Sequence, residues 1–341
     1  MAKKRNRRSG AQRRPVPPQA APPPAVSSAV PAARAERVVE EVLPASGVTY
    51  PLVLRGEGYA WWRSALGVIL ALAGYVAVTP AVSSAVVGIG YFIERPPLTP
   101  AEYAATGYRF ERPVGMLAQN LAIAALILVA FFVIMVVHHV RPRWLSSVQP
   151  KLRWRYLLIC GGVAVLVLNG ISLLPTLGGT SSQPQPQLVA FLVVIVLTSP
   201  LQAAAEEYLF RGYLLQALGS MVATPWFGVV VSSLLFALFH GSQNLPLFLN
   251  RFAFGLLAAT LVLKTGGLEA GIAAHIVNNI SAYTAAAFTT SIASLRGVDA
   301  ITWTASALNI AGFALFTLAA ILLARRMQLN TTTPTIIQES P

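Results

Sequence analysis

The chain has 341 residues, of which 55% are hydrophobic and only 11% are charged. Soluble domains usually carry about 25% charged residues, so this composition excludes an ordinary soluble globule and indicates a membrane protein. The formal net charge is +13, but seven of the basic residues lie within the first fourteen positions. We therefore predict that the charge excess belongs to an N-terminal tail that binds anionic lipid headgroups, and not to a nucleic-acid-binding surface.

The chain divides by composition into four regions. Residues 1–45 are rich in Pro, Ala and Arg, which predicts a disordered basic tail. No apolar segment of a signal peptide follows the basic start, so no cleaved leader is expected. Residues 46–113 are predicted to form a linker and the first membrane helix, 114–330 a membrane helix bundle, and 331–341 a polar C-terminal tail.

Eight apolar runs are candidates for crossing a hydrocarbon core about 30 Å thick. They cover 61–92, 114–139, 156–176, 187–218, 226–240, 245–264, 267–289 and 303–324. The fourth run is expected to be interrupted at Pro200, and the fifth, with 15 residues, is short for a full span. The sequence therefore predicts an all-α fold, a polytopic bundle of about eight transmembrane helices.

The basic residues predict the orientation of this bundle, because cytoplasmic loops are enriched in Lys and Arg. With eight alternating spans, four basic clusters fall on one side: the N-terminal tail, the connection 141–155, Lys264, and Arg325 with Arg326. Both termini are therefore predicted to be cytoplasmic, in a multi-pass protein of the cell membrane.

The fourth run contains ionisable residues, which are rare within a bilayer and usually functional, since each costs about 2.5 to 3.5 kcal/mol at a helix centre. Arg211 follows Glu207 by four residues, which places the two on one helical face as an ion pair. Glu206 has no such local cation and is the better candidate for a general base. Alternatively, both glutamates only hold neighbouring helices together through Arg211.

Two later runs add polar groups. His240 follows Phe236 by four residues, and His275 precedes Asn279 by four, so the last two share one helical face. Each could instead be a packing histidine or an amide that bonds a neighbouring helix. Together with Glu206, these groups form a set that can activate a water and stabilise the oxyanion formed when it attacks a carbonyl. No G-x-S-x-G or H-E-x-x-H motif accompanies them.

Depth along the helices favours one shared polar cavity within the membrane. At 1.5 Å per residue, Glu206 lies roughly 18 Å, His240 and His275 roughly 21 Å, and Asn279 roughly 15 Å from the cytoplasmic end of its own run. For His275 this depth is counted back from Phe288 or Thr289. Independent packing residues would have no reason to agree in depth.

These residues resemble the motifs of the CAAX-protease and bacteriocin-processing family, which includes the type II CAAX prenyl endopeptidases. The matching motifs are E-E-x-x-x-R at Glu206, Glu207 and Arg211, F-x-x-x-H at Phe236 and His240, and H-x-x-x-N at His275 and Asn279. The resemblance covers about 187–289. It implies an eight-helix bundle with a cavity that opens toward the cytoplasm, and an intramembrane endopeptidase that hydrolyses membrane-associated peptides or proteins.

The resemblance also implies a role for each residue. Glu206 would activate the water, and His240 would help to hold it. His275 and Asn279 would face the carbonyl as oxyanion partners. The supporting residues would be Glu207 and Arg211, which brace the helix, and Phe236.

Two questions remain open at this point. The family has been described both as metalloproteases and as glutamate-dependent hydrolases, and Glu206, His240 and His275 could bind a zinc with an open fourth position. The sequence favours no metal, because histidine ligands usually have a carboxylate or carbonyl partner and Glu207 is committed to Arg211. The alternative functions are a proton-coupled transporter and a non-catalytic scaffold or immunity-type protein.

Overall fold

The computed structural model describes residues 43–173 and 185–335. The predicted N-terminal tail, with its proposed affinity for anionic lipids, lies outside the described residues apart from 43–45. The C-terminal tail is described as far as residue 335. Within this part of the chain the regular structure is helical, and β-pairing is confined to two isolated bridges. The predicted all-α polytopic bundle is confirmed.

The helices follow the predicted apolar runs closely. They are α1 (Trp61–Glu94), α2 (Pro100–Tyr108), α3 (Pro113–Ala124), α4 (Leu126–His138), α5 (Trp154–Leu173), α6 (Leu188–Glu206), a π-helical segment (Glu207–Leu214), α7 (Leu215–Val222), α8 (Pro225–Leu238), α9 (Leu245–Thr265), α10 (Glu269–Thr289), α11 (Ile292–Arg296) and α12 (Trp303–Arg326).

Six stretches of the described chain are long and apolar enough to cross a membrane. They are Trp61–Glu94, Pro113–His138, Trp154–Ile171, Leu188–Val222, Leu245–Thr265 and Trp303–Arg326. Of the other two predicted spans, α8 has 14 residues, fewer than the roughly 20 that a full span needs. The other, α10, has 21 residues but is not among the six, because its polar side chains lower its hydropathy. Both exceptions carry candidate site residues.

The α6 helix continues through Pro200, so the predicted interruption at that residue is wrong. Proline is tolerated within membrane helices because neighbouring groups satisfy the backbone carbonyl that it leaves free. The helix changes its winding at Glu207 instead, where the π-helical segment begins.

Hydropathy gave no signal for α2 and α11, because both are too short to form an apolar run. The α2 helix is fixed by a capping box in which the Thr99 side chain accepts a hydrogen bond from the Glu102 amide and Glu102 bonds back to Thr99. The backbone and hydroxyl hydrogen bonds from Thr99 lower the pKa of the Glu102 carboxyl.

The connections between helices gather at two opposite ends of the bundle. One, which we call the basic end, is formed by residues 43–60, 139–153, 266–268 and 327–335. Its contacts include the β-bridges Ser147–Gly267 and Thr49–Thr332 and the hydrogen bond from the Tyr50 hydroxyl to the Leu145 carbonyl. Three of the four predicted basic clusters lie in described residues, and all three are found at this end. Which side of the membrane the basic end faces stays a prediction.

The opposite end, which we call the mouth end, is formed by residues 95–112, 239–244 and 290–302. The Asn244 side-chain amide donates to the Ile301 carbonyl at 2.9 Å, which joins two of these connections. The guanidinium of Arg296 lies 5.5 Å from the centroid of the Phe110 ring, which joins the third.

An ion pair between Arg153 and Glu269 joins three helices at the basic end. Arg153 donates from Nε to Glu269 Oε1 at 2.9 Å and from Nη2 to Oε2 at 2.6 Å, and its Nη1 donates to the Thr265 carbonyl at 2.8 Å. The Glu269 carboxylate is fully buried. The pair therefore fixes the beginning of α10 against the end of α9 and the beginning of α5.

Replacing Arg153 by alanine is expected to lower the free energy of unfolding by about 3 to 5 kcal/mol, because it leaves the Glu269 carboxylate buried without its cation. Arg155→Ala is the matched control, since Arg155 is exposed and lies two residues away. Denaturant unfolding of the purified protein in detergent measures both. Equal stability of the two variants would show that the pair does not hold this end together.

The orientation predicts which end of the bundle a membrane-impermeant reagent can reach. Cys160 is buried, so single cysteines can be introduced without a competing exposed thiol. In sealed vesicles of known sidedness, Lys151→Cys should react with an impermeant maleimide only from the cytoplasmic side, and Val298→Cys only from the other side. Both positions are exposed in the fold. The reversed pattern would overturn the predicted orientation.

Candidate active site

The two adjacent glutamates lie where α6 becomes π-helical. Glu206 ends α6, Glu207 begins the π-helical segment, and every residue of that segment is buried. Such π-helical insertions are rare and occur frequently at functional sites. Glu206 and Glu207 are 8% and 0% exposed. Both carboxylates are therefore shielded from solvent and need hydrogen-bonding or charged partners within the protein.

Glu207 forms the ion pair that its spacing from Arg211 predicts. Arg211 Nη1 lies 3.0 Å from Glu207 Oε1, and both side chains are fully buried. The Arg211 guanidinium carbon also lies 3.9 Å from the centroid of the Phe236 ring and 5.1 Å from that of Phe254. Two aromatic faces and one carboxylate therefore stabilise this buried cation.

His275 lies between the two glutamates. Its Nδ1 is 2.8 Å from Glu207 Oε1, and its Nε2 is 3.4 Å from Glu206 Oε2. Because Nδ1 donates to Glu207, Nε2 faces the carboxylate of Glu206. The resemblance implied that His275 faces a substrate carbonyl; in the structure its two ring nitrogens face the two glutamates.

An amide chain completes the surroundings of Glu206. Gln202 Nε2 donates to Glu206 Oε1 at 2.7 Å, and Asn279 Nδ2 donates to Gln202 Oε1 at 2.8 Å. Asn279 Oδ1 in turn accepts a hydrogen bond from the Asn278 amide at 3.0 Å. Sequence reasoning missed Gln202, although its position one helical turn before Glu206 in an apolar run was an available signal.

His240 lies in the turn that follows α8 and is exposed to the cavity. Its Nδ1 is 2.7 Å from the Phe236 carbonyl oxygen, which leaves Nε2 as its remaining nitrogen. This explains the F-x-x-x-H motif: the Phe236 ring covers Arg211 while its backbone orients His240. Phe254, whose ring centroid is 5.0 Å from that of His275, was not predicted, because one more apolar residue in α9 gives no signal.

One cavity of about 560 Å³ brings the predicted residues together. Its inner wall includes Glu206, His240, His275, Asn279 and Gln202. Residues from the mouth end also line it: Gly241, Ser242, Arg296, Gly297, Val298 and Asp299, all exposed. The cavity therefore opens at the mouth end. Two expectations from the sequence therefore conflict: that the basic end is cytoplasmic, and that the cavity opens toward the cytoplasm. If the basic end faces the cytoplasm, the cavity opens on the other side of the membrane.

The depth estimated for His275 was wrong. Glu269, the first residue of α10, contacts Arg153 at the basic end, so His275 lies six residues, about 9 Å, from that end. Counting back from Phe288 measured its distance from the mouth end instead.

The zinc alternative finds mixed support. One part of the sequence argument against it was wrong, because both imidazoles do have outer partners: Glu207 for His275 and the Phe236 carbonyl for His240. However, among residues 43–173 and 185–335 no group of three or more His, Cys, Asp or Glu side chains is arranged to hold a metal ion. The donors of the described residues therefore fit a catalytic zinc by type and not by position.

The candidate site lies within a segment of the chain that matches a known protein family. Residues 186–281 match the family model described as type II CAAX prenyl endopeptidase Rce1-like. The uncharacterized protein YyaK of Bacillus subtilis (strain 168) is 30% identical over 100 residues, which is 28% of this chain and 33% of that protein. The chain thus spans about a third of the length of the curated relative that it matches. No solved structure matches the chain.

The buried contacts predict that removing the charge of Arg211 destabilises the protein more than removing the charge of Glu206. Arg211→Ala should lower the free energy of unfolding by about 3 to 5 kcal/mol, because Glu207 loses its cation at full burial. Glu206→Gln should cost much less, since an amide of the same shape can still bond Gln202. Unfolding in detergent, followed by tryptophan fluorescence, compares the two. A larger loss for Glu206→Gln would contradict this assignment of the pair.

Proposed function

We propose that this protein is an intramembrane endopeptidase whose general base is Glu206, on the basis that residues 186–281 match the family model described as type II CAAX prenyl endopeptidase Rce1-like. The observation that carries the proposal is the position of the Glu206 carboxylate. It lines an open cavity, accepts a hydrogen bond from Gln202 on one oxygen, and has Nε2 of His275 at 3.4 Å from the other. A carboxylate fixed in this way can take a proton from a bound water.

The proposed reaction is direct hydrolysis of a peptide bond. A water held beside Glu206 by Nε2 of His240 attacks the carbonyl carbon while Glu206 takes one of its protons. The C–N bond then breaks, and Glu206 returns the proton to the leaving amine, which yields a carboxylic acid and an amine; proton transfer between them gives the carboxylate and the ammonium. Asn279 retains a second amide hydrogen beyond the one given to Gln202, and it is the proposed donor to the oxyanion.

His275 and Glu207 act in this scheme as positioning residues. Glu207 orients the imidazole of His275 through Nδ1. In the scheme His275 is protonated on both nitrogens and donates from Nε2 to Glu206 Oε2, which lies 3.4 Å away. Substrates are membrane-associated peptides or proteins, and prenylated CAAX termini are one class among them.

A proton-coupled transporter is the second candidate function. Its substrate site must open to each side of the membrane in turn. The cavity here opens at the mouth end, whereas the layer between it and the basic end contains the fully buried Glu207 and Arg211. A transporter would have to move this buried pair to open the basic end, whereas hydrolysis within the cavity needs no such movement. Cleavage by the purified protein separates an enzyme from a transporter and from a non-catalytic scaffold.

Glu206→Gln is expected to reduce the rate of cleavage by about 10²-fold or more, because it removes the general base. Glu57→Gln is the matched control, since Glu57 is an exposed acid outside the helices. Cleavage of candidate membrane peptides by purified protein in lipid nanodiscs measures both rates. A normal rate for Glu206→Gln would show that another group activates the water.

Cleavage is further expected to survive treatment with a metal chelator, because no step of the proposed reaction uses an ion. Metal analysis of the active protein accompanies this assay. Zinc near one per chain, whose removal and return abolish and restore cleavage, would transfer Glu206, His240 and His275 to roles as ligands.

A further inference from the structure

Three of the apolar helices, α5, α9 and α12, have neighbouring ends at the basic end of the bundle. The Tyr156 hydroxyl, near the beginning of α5, donates to the Ala320 carbonyl in α12 at 2.9 Å. Gly266, which follows α9, packs against the segment after α12, since a Cβ atom there would lie 2.6 Å from the Asn330 carbonyl oxygen. The beginning of α5, the end of α9 and the end of α12 therefore lie side by side.

These three helix ends present four exposed cations, which we call the cationic edge: Arg155, Lys264, Arg325 and Arg326. Within residues 43–173 and 185–335, none of the four forms an ion pair. The described acids at the basic end are Glu269, which is fully buried and bound to Arg153, and Glu57, which lies in the segment before α1. The described acids thus leave the charge of the cationic edge unpaired.

Apolar side chains are exposed directly below these cations. On α5, Trp154 and Leu158 are 63% and 68% exposed and lie one helical turn apart. On α12, Leu318 and Leu322 are exposed and precede Arg326 at intervals of four residues, so the three share one face. Tryptophan at the end of a membrane helix typically lies at the level of the lipid headgroups. The cationic edge therefore lies at headgroup level, with lipid-facing apolar surface beneath it.

This arrangement matches an amphiphile that has an anionic head and acyl chains. A soluble polyanion would contact the cations and leave the apolar faces of α5 and α12 unused, whereas a phospholipid contacts both. Arginine pairs well with phosphate oxygens, and basic pockets between membrane helices bind anionic headgroups. We propose that the cationic edge binds the headgroup of an anionic phospholipid, whose acyl chains lie along the exposed faces of α5 and α12.

This site is separate from the N-terminal tail and from the cavity that contains Glu206. Its four cations belong to helices of the bundle, so the protein fixes their positions relative to one another. The proposal does not depend on the proposed function, and its test needs no cleavage.

The test uses Trp154 as the reporter, because its exposed ring lies at the proposed site. Full-length protein is placed in phosphatidylcholine liposomes that contain a small fraction of lipid with brominated acyl chains, which quench tryptophan on contact. The difference in quenching between this protein and Trp154→Phe isolates the signal of Trp154. Brominated phosphatidylglycerol should reach half-maximal quenching of Trp154 at about a tenfold lower fraction than brominated phosphatidylcholine, as expected for several cations acting on one headgroup.

A pair of matched double variants assigns the preference to the cationic edge. Arg325→Gln with Arg326→Gln should remove most of the preference for phosphatidylglycerol, and Arg325→Lys with Arg326→Lys should retain much of it, because the charge is kept. Arg141→Gln with Arg143→Gln is the control, since it removes two exposed arginines from the connection after α4. Unchanged quenching by brominated phosphatidylcholine verifies that each variant still presents Trp154 to lipid.

Four results would overturn the proposal. The first is equal quenching of Trp154 by the two brominated lipids, and the second is a preference that persists after both glutamine substitutions in α12. The third is an equal loss in the Arg141 and Arg143 control, which would show a diffuse surface potential instead of a site. The fourth is a loss on replacing Arg5, Arg7 and Arg8 by Gln, which would assign the lipid to the N-terminal tail.

Discussion

The structure of the site depends on one fully buried carboxylate, that of Glu207. Its Oε1 accepts hydrogen bonds from both Arg211 and His275, so it joins the π-helical segment to α10. Gly271 allows this approach, because a Cβ atom at that position would lie 3.0 Å from Glu207 Oε2. A charge buried at this depth is tolerated only with such partners, and the requirement fixes the two elements relative to each other.

The position of the general base follows from this constraint. His275, held through Nδ1 by Glu207, presents Nε2 to Glu206, and Gln202 holds the other oxygen of Glu206. The E-E-x-x-x-R motif therefore combines two roles in adjacent residues. Its first glutamate lines the cavity, and its second keeps the surrounding helices in place.

The sequence predicted the helices and the main site residues because both depend on simple regularities. Apolar runs of about 20 residues are visible along the chain, and polar groups within them are few. Gln202 was missed although it lies one turn before Glu206 in the same helix. Phe254 was missed because its contact with His275 joins two helices that are apart in the sequence. The depth of His275 was wrong because it was counted from the far end of its run, although the alternation of spans places the beginning of that run, just after Lys264, at the basic end.

The central claim is that Glu206 activates a water and never bonds covalently to the substrate. The most direct measurement is a single turnover in water labelled with the heavy oxygen isotope, followed by mass spectrometry of the product and of the peptide containing Glu206. The account predicts label in the new carboxylate of the product and none in Glu206. Label in the Glu206 side chain would contradict it, because it would show that the glutamate had formed an acyl intermediate opened by water.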